Sequence, residues 1–142
     1  MTLLNMEIPG WLTETPLRVA ADYAGKVPAG GTILELGAYL GRTTWVLAKN
    51  TRPDVNIHVV DLWVDQSAEE IGYLKDYNRK MLSYSDQFYE IDRLMLSNNG
   101  VFSGDDFHKL WNWNIREFSN IKHYRENTQT ISTDRFGDID FI

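Results

Sequence analysis

Two short apolar runs, 32–36 and 56–62, flank a segment whose apolar positions follow a different period. Ile33, Leu34 and Leu36 dominate the first run, and Ile57, Val59 and Val60 the second. Runs of this length, bounded by turn signals, predict buried strands. Between them Trp45, Val46 and Leu47 supply the apolar side of a helix from Thr43 to Asn50. Arg52-Pro53-Asp54 then turns the chain. Two strands joined by a helix over about thirty residues predict a parallel unit with a right-handed crossover.

The flanking segments carry further periodicity. Leu17, Ala20, Ala21 and Ala24 recur at helical spacing from Thr13 to Tyr23, with Thr13 placed to cap and Pro16 early enough to be tolerated. Gly25 and the Val27–Gly31 stretch end that helix. From Ser67 to Asn120 the pattern is helical and rich in charge. Ile71, Leu74, Tyr77 and Met81 form one stripe, and 87–95 reads as a second helix ending near Asn98-Asn99-Gly100. Asp105 or Asp106 is expected to cap a third helix reaching Phe118, with Phe107, Leu110, Trp111, Ile115 and Phe118 apolar. Ile121 to Glu126 alternates as a third strand, and Asp138–Ile142 reads as the opening of a fourth. The expected fold is a single α/β domain over 1–142. It has a Rossmann-like parallel sheet of order 3-2-1-4 and a helical insertion over 64–118, either a lid or an added helical layer.

Composition narrows the function. The chain has 142 residues, 43% hydrophobic and 13% aromatic, enough for one packed core. A net charge of −6 argues against nucleic acid or an anionic membrane as the main partner. With no cysteine, disulfides, thiolate zinc sites and a cysteine nucleophile are excluded. No basic leader and no apolar run of about 18 residues is visible, which fits a cytoplasmic protein.

The segment Ile33-Leu34-Glu35-Leu36-Gly37-Ala38-Tyr39-Leu40-Gly41-Arg42-Thr43-Thr44 carries the chemistry. Gly37 lets the backbone leave the strand where a Cβ is expected to clash, and Gly41 lets the helix start close to a ligand. The spacing is E-x-G-x-x-x-G, with Tyr39 where a dinucleotide site has its middle glycine. That pattern favours a ligand without phosphates. S-adenosylmethionine fits: Glu35 would anchor its ammonium and the free amides at the helix start its carboxylate. Asp61, at the end of the second strand, is placed to accept both ribose hydroxyls. The other reading of the same residues is a βαβ unit whose glycines only turn the chain.

These residues, with Gly10-Trp11-Leu12-Thr13, Val60-Asp61-Leu62-Trp63, Asn120-Ile121 and Asp138–Ile142, resemble a class I S-adenosylmethionine-dependent methyltransferase of the family 24 subgroup. In that subgroup the loop ends in a Gly-Arg-Ser/Thr-Thr step, as Gly41–Thr44 does here. The resemblance implies that Glu35, Gly37, Ala38, Tyr39, Gly41 and Thr43 line the methionine end. It implies that Asp61 binds ribose, Leu62 packs on adenine, and Asn127 and Thr128 touch the adenine edge. It also implies methyl transfer to a small-molecule or sugar acceptor.

A full domain of that family has seven strands, and its fourth runs into an acidic loop, commonly Ile-Asp-Gly followed by His. Only four strands are expected here, with the fourth an open edge at Asp140-Phe141-Ile142. The chain is expected to be truncated, half of a split enzyme, or a small domain completed by a homodimer or partner chain. A non-catalytic cofactor-binding domain is the alternative function, and no catalytic base is assigned.

Outside the loop, His58 reads as a strand histidine, His108 as a neighbour of capping aspartates, and His123 as lacking a partner. Trp111 falls on an apolar stripe and Trp113 falls off it, open to stacking on a base or sugar.

Overall fold

The computed structural model describes residues 2–81 and 84–142; the side chain of Met81, expected on a helix stripe, lies outside the described residues. Three strands run parallel in the order β1-β2-β3: β1 (Thr32–Leu36), β2 (Asn56–Val60) and β3 (Ile121–Tyr124). Helix α1 (Glu14–Gly25) precedes the sheet and α2 (Arg42–Asn50) links β1 to β2. Helices α3 (Ala68–Met81), α4 (Gln87–Leu96) and α5 (Gly104–Asn114) separate β2 from β3. This is a Rossmann-like α/β arrangement.

Register decides where the site falls. Leu36 pairs with Val60, and Val60 with Tyr124, so the three strands end level. Gly37 N–H donates to Val60 O (2.8 Å) and Asp61 N–H to Tyr124 O (3.1 Å), carrying both ladders one step further. The loops after β1 and β2 therefore leave side by side.

Alternation along the strands divides the core. Ile33, Ile57 and Val59 face the main cluster with Leu47, Ile71, Leu74, Phe88, Ile91, Phe107 and Trp111. Leu34 and Val60 face the opposite side, against Phe136 from a 3₁₀ turn at Thr133–Phe136. Helix α5 belongs to the main cluster, so this part of the insertion packs on the sheet.

The four-strand order is corrected. Residues 138–142 form only an isolated parallel bridge, Ile33 to Phe141, on the free side of β1. Leu34 N–H donates to Phe141 O (2.8 Å), but the Thr32 amide, which a longer ladder would give to a backbone carbonyl, donates to the Asp140 carboxylate (2.9 Å). Helix α5 is also capped differently. Ser103, in extended conformation, accepts Asp106 N–H on its hydroxyl (3.1 Å), while the Asp105 carboxylate pairs with Arg125 (2.7 Å). The helix stops at Asn114, short of Phe118, and Thr13 flanks α1 without a side-chain cap bond. Among the described residues no helix is long and apolar enough to cross a membrane.

Candidate functional site at the glycine loop

The loop from Gly37 to Gly41 turns through three left-handed residues: Gly37 (φ +83°), Tyr39 (φ +54°) and Gly41 (φ +98°). The expected clash at Gly37 is absent, since a Cβ there would meet open space. Glycine is needed at 37 for the positive φ alone. Gly41 is constrained twice, because an added Cβ would also lie 3.0 Å from Trp111 Cδ1. Tyr39 holds the same region without glycine's freedom. Its carbonyl accepts Trp63 Nε1–H (2.9 Å) and its ring meets Phe107 edge-on at 4.8 Å. Burial pushes its phenol up to about 12, opposed by the nearby Trp11.

Asp61 is the fastener of this loop. One carboxylate oxygen accepts Ala38 N–H (2.8 Å) and Tyr39 N–H (3.0 Å); the other accepts Trp63 N–H (2.8 Å). A carboxylate offers about four acceptor positions. Three of them are committed to backbone amides.

Glu35 lies on the core-facing side of β1 and is 7% exposed. Its Oε2 accepts the Thr44 hydroxyl (2.6 Å), which in turn accepts Trp111 Nε1–H (3.2 Å). Its Oε1 is buried with no partner among the described residues. Burial, helped by the nearby Asp61 charge and opposed by the Thr44 bond, pushes the carboxyl up to about 8.

Above the loop lies the segment 8–12, pinned by Arg42. The guanidinium, 3% exposed, donates to Ile8 O (2.6 Å), Leu12 O (2.8 Å) and Asn78 Oδ1 (3.0 Å). Asn78 of α3 donates back to Gly10 O (3.0 Å). A cavity of about 190 Å³ remains between this strap and the loop, lined by Gly10, Trp11, Gly37, Tyr39, Arg42 and Thr43 among others.

Of the residues singled out in the sequence, Glu35, Gly37, Ala38, Tyr39, Gly41, Thr43 and Asp61 converge at this edge. Leu62 follows with its side chain exposed. Asn127 and Thr128 lie beyond β3. Asn127 Oδ1 accepts Gln129 N–H (2.9 Å), so its side chain closes its own turn. His123 corrects its expectation by facing His108 at 4.8 Å and Trp111 at 5.2 Å between ring centroids. His58 Nδ1 lies 2.9 Å from Tyr124 Oη, within the sheet. Trp63, Arg42 and Asn78 had no assigned role in the sequence. Asn78 had a visible signal, a polar residue four positions after Leu74 on an apolar stripe. A larger groove of about 470 Å³ between α4 and α5, lined by Glu90, Leu94, Asp106, Leu110 and Trp113 among others, shares no lining residue with the loop cavity. Among the described residues no group of three or more His, Asp or Glu could hold a metal ion.

No protein-family model matches the chain, and no curated protein matches it.

Proposed function

We propose that the chain binds S-adenosylmethionine at this edge and serves as a methyltransferase domain for a small-molecule or sugar acceptor. The observation that carries this reading is the level register of Leu36, Val60 and Tyr124, which sets the glycine loop beside Asp61. Parallel α/β sheets bind ligands at the carboxyl ends of their strands. Three features support this cofactor over a dinucleotide. Glu35 Oε1, buried and without a partner among the described residues, suits an ammonium donor. The first turn of α2, with Gly41 as N-cap and no side-chain cap bond, suits a carboxylate. Tyr39, at its positive φ, occupies the position where a pyrophosphate would need a glycine.

The cavity of about 190 Å³ is smaller than the ~300 Å³ lower bound for small-molecule pockets, so it houses only the amino-acid end. The adenosine would lie over the strand ends, with Asp61 toward ribose and exposed Leu62 beside adenine. When bound, the cofactor supplies an electrophilic methyl group, so the residues of the chain need mainly to align and enclose it. A second reading, binding without turnover or a subunit completed by a partner, is favoured by the β1 edge, which carries only one bridge.

Calorimetry with S-adenosylhomocysteine and with NAD separates the cofactor classes. Binding of the first and not the second is expected; binding of NAD alone would overturn the assignment.

A further inference from the structure

Helices α4 and α5 run antiparallel. Segment 97–103 joins them at one end, and a reciprocal amide pair between Gln87 and Asn114 pins the other. Phe88, Ile91 and Met95 of α4 pack into the main core with Phe107 and Trp111 of α5. The next stripe outward does not close. Glu90 and Leu94 on α4 stand apart from Asp106, Leu110 and Trp113 on α5, leaving the groove of about 470 Å³. That volume falls within the ~300–1,000 Å³ range of small-molecule sites.

The groove is apolar along its length and acidic around it. Leu94 and Leu110 supply apolar surface, and Trp113, 58% exposed, adds a large ring at the end pinned by the amide pair. Three carboxylates, Asp86, Glu90 and Asp106, face one ammonium, Lys109. Glu90 is paired with Arg93. Asp86 flanks α4 without a side-chain cap bond, and at α5 the cap is Ser103. Asp86 precedes Gln87 and Trp113 precedes Asn114, so the amide pair brings this carboxylate and this ring to the same end. Arg116 stacks on the ring at 3.6 Å but lines the neighbouring groove, with Trp45 and Glu117. The ring thus already holds one cation against its π surface while also bordering the α4–α5 groove.

We propose that the α4–α5 groove is a binding site for a small organic cation, one ammonium on an apolar body. The ammonium sits beside Asp86 and the Trp113 ring, and the body lies along Leu110 and Leu94. Charge complementarity selects this occupant, since an organic acid of the same shape meets like charge and a neutral one leaves the carboxylates unanswered. The groove shares no lining residue with the glycine-loop cavity, so the proposal stands apart from the cofactor reading.

The test is an NMR titration of the ¹⁵N-labelled full chain with phenylbutylammonium, with neutral phenylbutanol and with anionic phenylbutyrate. The cation is expected to give saturable shifts at Gln87, Glu90, Leu110 and the Trp113 indole. It should bind about three- to tenfold more tightly than the alcohol, and the acid should bind most weakly. Asp86→Asn should bring ammonium and alcohol within about twofold of each other, and Trp113→Leu should weaken both. Both positions are exposed, so the variants keep the fold, which unshifted core amides check. Ammonium and alcohol binding alike to the wild type overturns the proposal, as do shifts confined to the glycine loop or no saturable shift. An undiminished preference in Asp86→Asn, or full affinity in Trp113→Leu, overturns it too.

Discussion

Glu35→Gln isolates the ionisation of the carboxyl buried beneath the glycine loop. In the folded chain that group is pushed up to about 8, against 4.5 for the free side chain. The direction follows from proton counting. Between those two values the folded state holds a proton that the unfolded state has released. Stability is therefore full below pH 4.5 and lost as pH rises toward 8. The slope is about 1.4 kcal/mol per pH unit, so the integrated loss is on the order of 5 kcal/mol at pH 9. Glutamine does not titrate. Its amide still accepts the Thr44 hydroxyl, but its NH₂ takes the place of Oε1, which has no partner among the described residues, at about 1–3 kcal/mol. The wild type should be the more stable protein at pH 5 and the variant at pH 9. Urea denaturation followed by circular dichroism at half-unit pH intervals gives the difference directly, because groups common to both proteins cancel. A difference between the two proteins that does not change with pH would refute the reasoning, as would a variant less stable at both ends.

Other substitutions probe the loop itself. Asp61→Asn replaces an acceptor of three backbone amides with a group that presents donors to some of them. It should cost about 2–4 kcal/mol in a thermal melt and speed amide exchange at Ala38 and Tyr39. Gly37→Ala should cost only the strain of its positive φ, about 1–3 kcal/mol. Gly41→Ala should cost more, because its Cβ also crowds Trp111; equal losses would contradict the geometry. Trp111→Ala should cost about 3–5 kcal/mol. Trp113→Ala, at a site 58% exposed with Arg116 stacked on its ring, should stay within about 0.5 kcal/mol in the same denaturation assay.

The parts of the fold with local causes were legible from residues alone. Ile33-Leu34 and Ile57–Val60 are apolar enough to specify buried strands, and Arg52-Pro53-Asp54 marks the turn between α2 and β2. Gly37, Gly41 and Asp61 could be placed at one edge because parallel pairing through a helix brings strand ends level. What stayed hidden depends on distant partners. Nothing local says that Arg42 is buried; that follows from Ile8, Leu12 and Asn78 folding around it. Asp61 looked free for a ligand because its acceptors are taken by amides 22 and 23 positions away. Ser103 outcompeted Asp105 as a cap because Arg125 of the segment after β3 draws the aspartate outward. The fourth strand failed for a similar reason, with the Asp140 side chain taking the Thr32 amide.

In the proposed function the ligand sits on the glycine loop and reaches Asp61. An NMR titration of the ¹⁵N-labelled chain with S-adenosylhomocysteine tests it most directly. Saturable shifts are expected, confined to the amides of 37–43, 61–63 and the 8–12 strap. Shifts confined to the groove lined by Glu90, Leu94, Leu110 and Trp113, or none at all, would contradict it.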